Sequence, residues 1–235
     1  MSKIGLVLLP GLDGTGLLFA DFMAALGPEF DPIVVRYPTD VPLGYAELEP
    51  LVRKYLPADE PFILLGESFG GPLSISVAAS TPPGLVGLIL CCSFASCPRR
   101  YLGRLKFLAP YLPVHGLPRS VFARRSMGRF ASKELASKLK EASERVSPDV
   151  FRYRIGAVCA TDFSAKLQQV RVPILYLRAS TDRIVPRDAS RRIQRLVPSA
   201  RIVDIDGPHY LLQACPAAAV DAVTKFVREL GVLTI

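Results

Sequence analysis

Phe62-Ile63-Leu64-Leu65-Gly66-Glu67-Ser68-Phe69-Gly70-Gly71 decides how this chain is read. Four apolar residues run into a glycine, a serine stands between two glycines, and a helix-like segment continues over 71–80. This is the strand, sharp turn and helix in which a G-x-S-x-G motif lifts a serine hydroxyl clear of a sheet. The glycines have a physical reason to be there, since side chains at those positions would collide with the neighbouring strand and helix, and the serine itself must accept strained backbone. The turn also sets the hydroxyl at a helix amino terminus, where the dipole favours developing negative charge.

Outward from the turn, short apolar runs alternate with helix-like segments, the pattern of a parallel sheet covered on both faces. Strands are expected over 4–9, 33–37, 62–65, 86–91, 173–177 and 201–205, and helices over about 17–26, 45–55, 71–80, 187–196 and 217–230. The expected fold class is α/β, a mostly parallel sheet of about six strands flanked by helices. With 235 residues, half of them apolar, the chain reads as a single domain spanning 1–235. The connection from 91 to 173 far exceeds the roughly dozen residues a crossover needs. Residues 95–165 are therefore read as a helical lid inserted over the carboxyl edge of the sheet, with a helix-like stretch at 133–145 and Pro98, Pro110, Pro113 and Pro118 breaking up its first half.

Composition removes several classes of function. No repeat or low-complexity tract is present, and the longest early apolar burst, 4–9, ends at Pro10, too short for a membrane span and without the features of a secretory leader. No stable membrane insertion is expected. Five cysteines form an odd set without C-x-x-C spacing, which favours neither a disulfide framework nor a zinc site and suits buried thiols in a reducing cytoplasm. The net charge of +8 is uneven: from Pro98 to Arg154 fourteen Lys and Arg face four Asp and Glu, leaving a net of −2 elsewhere. No helix-turn-helix, RNP or zinc-finger signature accompanies that basic segment, so nucleic-acid binding is not expected.

A serine hydroxyl is a poor nucleophile at neutral pH and needs a base. The chain has two histidines. His209, in Gly207-Pro208-His209 after the last strand candidate, would lie at the same sheet edge as Ser68; His115 sits in the middle of the lid and is read as having no catalytic duty. The imidazole needs a carboxylate to fix its tautomer and stabilise its cation. Asp182, in Ser180-Thr181-Asp182-Arg183-Ile184-Val185-Pro186 after the fifth strand candidate, fits that place, with Asp162, Asp188, Asp204 and Asp206 as rivals nearby. Two backbone N–H groups suffice for a tetrahedral oxyanion. One is expected from Phe69 and the other from Leu12, in the loop Pro10-Gly11-Leu12-Asp13-Gly14-Thr15-Gly16. That loop lacks the GK[ST] ending of a phosphate loop and the spacing of a dinucleotide site.

Taken together, LPGLDGTG, GESFGG, STDRIVP and GPHYLLQ resemble the α/β-hydrolase superfamily over essentially the whole chain, and within it the small bacterial esterases that include the pimeloyl-acyl-carrier-protein methyl ester esterases of biotin synthesis. The resemblance implies a Ser-His-Asp acyl-enzyme mechanism without metal or cofactor, with Ser68, Asp182 and His209 at the catalytic positions and Leu12 and Phe69 at the oxyanion amides. Two departures stand out. Pro10-Gly11 replaces the His-Gly of many relatives, and the chain starts almost directly at the first strand, which suggests six strands rather than eight.

The lid mixes apolar residues, Phe107, Tyr111 and Phe122 among them, with Arg119, Arg124, Arg125 and Arg129. A short or medium acyl ester held beside an anionic partner, such as an acidic acyl carrier protein, is the expected substrate; a solvated basic face over an ordinary apolar lid is the plainer alternative. The same triad would also serve an acyltransferase, a thioesterase, a cofactor-free haloperoxidase or lyase, or a membrane-surface lipase. Dehalogenases and epoxide hydrolases are disfavoured because they carry aspartate where this chain has Ser68.

Overall fold

The structure is a computed structural model that describes residues 3–99 and 126–232. Its strands are β1 (Ile4–Leu9), β2 (Phe30–Val34), β3 (Phe62–Glu67), β4 (Leu85–Cys91), β5 (Ile174–Ala179) and β6 (Arg201–Ile205). They form one parallel sheet in the order β2-β1-β3-β4-β5-β6. The helices are α1 (Ala20–Ala25), α2 (Tyr45–Arg53), α3 (Gly70–Ala79), α4 (Lys133–Glu144), α5 (Pro148–Cys159), α6 (Ser164–Leu167), α7 (Arg187–Leu196), α8 (Leu211–Ala214) and α9 (Pro216–Glu229).

The central strands are apolar on both faces because each face meets helices. Val7 and Leu9, Phe62 and Leu64, Leu88 and Leu90, and Ile174 and Tyr176 share a core with Tyr45, Leu48 and Val52 of α2, Leu73, Ile75 and Val77 of α3 and Ile193 of α7. The alternate residues Leu6 and Leu8, Ile63 and Leu65, Ile89 and Cys91, and Leu175 and Leu177 pack with Phe22 of α1 and Val220, Val223, Phe226 and Val227 of α9. The period of two along each strand thus sorts the apolar residues into two cores.

Three expectations change. Instead of 33–37, β2 runs Phe30–Val34, starting where Phe30 comes into register with Ile4. Pro32 sits at its centre, which an edge strand tolerates. Beyond β2 the chain stays buried at Val35 and Tyr37 and bonds back to the sheet edge, Val35 N–H to Leu8 O (3.0 Å) and Tyr37 N–H to Gly14 O (2.8 Å). The segment 17–26 is not one helix, since Leu17–Phe19 is a 3₁₀ turn before α1. Finally, α5 is an additional helix with full start signals: the Ser147 hydroxyl accepts the Val150 N–H (3.3 Å) and Pro148 occupies the first turn.

Chain direction across the sheet reverses between β1 and β3, because β2 lies outside β1 and the later strands lie outside β3. In open α/β sheets the crevice beyond the carboxyl ends of the strands at such a reversal is where ligands bind. The loops after β1 and β3, carrying Leu12 and Ser68, flank that crevice. The next loop along is tied down by one side chain. Tyr176 of β5 donates its hydroxyl to Ser93 O (2.6 Å) and accepts the Ser93 N–H (3.0 Å), and the Ser93 hydroxyl in turn donates to Ser68 O (2.6 Å). Tyr176→Phe leaves both buried peptide groups of Ser93 without a partner, so urea unfolding is expected to show a loss of about 1–3 kcal/mol; an unchanged midpoint would show the clasp to be dispensable.

Candidate active site

Ser68 occupies the turn between β3 and α3 with φ of 48°, left-handed backbone that a residue with a side chain seldom adopts. Neighbours hold it there. Its N–H donates to Cys91 O (2.9 Å), and its carbonyl accepts the Gly71 N–H (3.1 Å) besides the Ser93 hydroxyl. A Cβ at Gly70 would lie 2.4 Å from Leu9 O, and one at Gly66 would lie 2.4 Å from the Ser74 hydroxyl. The two glycines are therefore what lets strand, turn and helix approach this closely.

His209 stands in the loop between β6 and α8, almost wholly buried. Its Nδ1 lies 2.8 Å from Asp182 Oδ2 and its Nε2 lies 3.0 Å from Ser68 Oγ. An ionised carboxylate only accepts, so Nδ1 carries the ring proton and Nε2 presents a lone pair to the serine hydroxyl. The other Asp182 oxygen accepts the N–H groups of Ile184 (2.8 Å) and Val185 (2.9 Å). These bonds fix the carboxylate within its own loop. The rivals are engaged elsewhere: Asp162 with Ser164, Asp188 with Arg192 and Arg195, Asp204 with Arg178, and Asp206 with Arg129 and Ser180.

The loop after β1 turns through a Gly14 N–H to Gly11 O bond (3.1 Å), with Gly14 and Gly16 left-handed at φ of 71° and 73°. The Asp13 carboxylate accepts the N–H (2.9 Å) and hydroxyl of Thr15. No backbone carbonyl of the described residues receives the N–H of Leu12 or Phe69, which leaves both amides able to donate outward. Arg154 of α5, read only as part of the basic segment, is fully buried against this loop. Its Nη1 donates to Leu12 O and Asp13 O (2.9 Å each) and its Nη2 to Pro38 O (2.7 Å).

Glu67, the residue before the serine, is a second group that composition and motif did not single out. Its buried carboxylate accepts from Gln213 Nε2 (3.0 Å). Burial raises its pKa from 4.5 to about 7, against the opposing pull of the Gln213 hydrogen bond and the nearby His209. Among the described residues, Cys92, Asp182 and His209 bring donor atoms within 4.8 Å of one another. Asp182 and both ring nitrogens are already committed, and burial pushes the Cys92 thiol well above its ordinary range, so this group suits a neutral thiol better than a metal's thiolate.

Of the expected lid residues, Arg129 is placed at the surface on Asp206 and over the Phe130 ring. Phe107, Tyr111, Arg119, Phe122, Arg124, Arg125 and His115 lie outside the described residues.

The sequence matches a family described as "Alpha/beta hydrolase family" over residues 6–223. A Caulobacter sp. (strain K31) protein named "Putative carbamate hydrolase RutD" is 27% identical, with 94% of this chain and 89% of that protein covered. Among solved structures, a thermophilic esterase from Thermogutta terrifontis superposes with a TM-score of 0.82 at 18% identity, over 97% of this chain and 91% of that one. An enol-lactonase from Burkholderia xenovorans LB400 gives a TM-score of 0.75 at 18% identity, over 99% and 93%. At these identities the superpositions establish the fold.

The raised pKa of Glu67 sets a direction for stability against pH. As pH climbs from about 4.5 to about 7 the unfolded chain releases this proton while the folded one keeps it, so stability falls across that window and then levels off. Glu67→Gln has no proton to release. The decline in unfolding free energy between pH 5 and 7, measured with urea, is expected to shrink by roughly 2 kcal/mol in the variant; matching profiles would contradict it.

Proposed function

The chain belongs to the alpha/beta hydrolase family, and on that premise we propose that it is a serine carboxylesterase working through an acyl-enzyme. The observation that carries this reading is the imidazole of His209 bonded on one side to Ser68 Oγ and on the other to Asp182. In this mechanism Ser68 Oγ attacks the ester carbonyl carbon as its proton passes to His209 Nε2. Asp182 stabilises the resulting imidazolium, and the Leu12 and Phe69 N–H groups receive the oxyanion. Collapse breaks the carbon–oxygen bond to the alcohol, which takes the proton from His209. Water then attacks the acyl-enzyme, again losing a proton to His209, and releases the acid with Ser68 restored.

For substrate we favour a short or medium acyl ester, and within that class a methyl ester on a carrier-linked acyl chain. The basic excess between Pro98 and Arg154 supports an acidic carrier protein, met by Arg119, Arg124 and Arg125. Arg129, already seated on Asp206, is the weaker candidate among the four. Arg154 of α5 reaches the loop after β1, which supports a position for α5 beside the carboxyl end of that strand. A second reading, hydrolysis of a carbamate by the same atoms, is favoured by the name of the Caulobacter relative. Five free cysteines support a reducing, cytoplasmic location, and no helix among the described residues is long and apolar enough to cross a membrane.

A panel of p-nitrophenyl esters graded by acyl length, run beside a carrier-linked methyl ester and a small carbamate, separates these readings. Ser68→Ala is expected to lose turnover by a factor on the order of 10³ or more; a variant that keeps ester cleavage sinks the acyl-enzyme mechanism. Arg124→Glu with Arg125→Glu is expected to slow the carrier-linked substrate and spare the p-nitrophenyl esters, and equal effects on both would remove the carrier protein from the proposal.

A further inference from the structure

Arg154 is fully buried, yet among the described residues no carboxylate lies at ion-pair distance from its guanidinium. Burying a cation without an ion pair is costly, and apolar side chains of similar volume fill such space at lower cost. Packing alone therefore does not explain an arginine here. What the guanidinium does hold is three carbonyls, Leu12 O, Asp13 O and Pro38 O, and its charge lies over the rings of Tyr37 (5.4 Å) and Phe69 (5.9 Å). The loop is shaped to admit it. A Cβ on Gly14, whose φ of 71° already favours glycine, would come within 2.6 Å of Arg154 Nη1.

The consequence follows from peptide planes. Gly11 O and the Leu12 N–H share one plane, and Gly11 O is fixed by the Gly14 N–H. The next two planes, bearing Leu12 O and Asp13 O, are both fixed by Arg154 Nη1. Three consecutive planes are thereby locked, and the Leu12 N–H points away from the turn. Arg154 also lies against the ring of Phe69, the residue bearing the other amide.

We propose that Arg154 is a positioning residue for the oxyanion loop: its Nη1 grip on the consecutive carbonyls of Leu12 and Asp13, steadied by Nη2 on Pro38 O, aims the Leu12 amide, and its buried charge adds positive potential where the oxyanion develops. The proposal rests on the acyl-enzyme reading of the site. It predicts a defect in transition-state stabilisation with ground-state binding intact. Arg154→Met removes fork and charge while filling similar space; Arg154→Lys keeps the charge and loses the fork.

With a p-nitrophenyl ester, Arg154→Met is expected to lower kcat by about 10- to 100-fold with KM within about threefold of wild type, and Arg154→Lys to recover part of that loss. Affinity for a trifluoromethyl ketone, whose serine adduct carries an oxyanion, is expected to fall by the same factor as kcat/KM. Circular dichroism and urea unfolding establish that each variant is folded. A folded Arg154→Met with wild-type kcat overturns the role, as does a loss confined to KM. Should Arg154→Met not fold, wild-type kcat and ketone affinity in folded Arg154→Lys overturn it equally. Ser68→Ala measured alongside separates the two levels: turnover abolished there but unchanged in the Arg154 variants removes Arg154 alone, whereas turnover surviving Ser68→Ala removes the acyl-enzyme reading and this role together.

Discussion

The 3.0 Å contact between the Ser68 hydroxyl and Nε2 of His209 joins residues 141 positions apart in the chain, and much of the structure serves to make it. Ser68 follows β3, Asp182 follows β5 and His209 follows β6. A parallel sheet delivers all three loops to one edge, since every strand ends on the same side. Position within that edge is set locally. Ser68 is held in left-handed backbone by its bond to Cys91 and by the Tyr176–Ser93 clasp, and Asp182 is pinned by two amides of its own loop. The imidazole is placed by the partners on its two sides.

The strands were legible because their apolar runs are short and bounded by Pro, Gly or charged residues, and β1 and β6 match the expected limits. β2 starts at Phe30 rather than at 33 and carries Pro32 at its centre, which its place at the edge of the sheet tolerates. The helix α5 carried no readable apolar stripe, since the side chains it buries are Val150 and Arg154. An arginine in a core position is invisible to a hydrophobic pattern. The one-turn helices α6 and α8 are shorter than any period can reveal. Ser68, Asp182 and His209 stood out because each sits in a loop directly after a strand. Glu67 and Gln213 did not, because their significance lies in a contact across 146 residues.

The basic segment looks different once its described members are placed. Lys138 lies between Asp21 and Glu134, Arg145 pairs with Glu141 and Arg129 sits on Asp206. These are exposed or half-exposed pairs that contribute little stability individually, but they show positive charge turned toward the chain's own acids as well as toward solvent. Arg154 is spent entirely inside. Counting charges along a sequence thus overstates the surface offered to an acidic partner.

The sheet's outer borders carry a further consequence. Along β2 the residues that bond to β1 are odd-numbered, as the Ile4 to Glu29 and Val35 to Leu8 bonds show, so Pro32 faces the open side. The donor that a newcomer strand would need there does not exist. On the far border, β6 carries Arg201 and Asp204, each tied to a charged neighbour. Both rims thus resist lateral annealing with another copy, which keeps the exposed backbone of an otherwise open sheet from seeding aggregates.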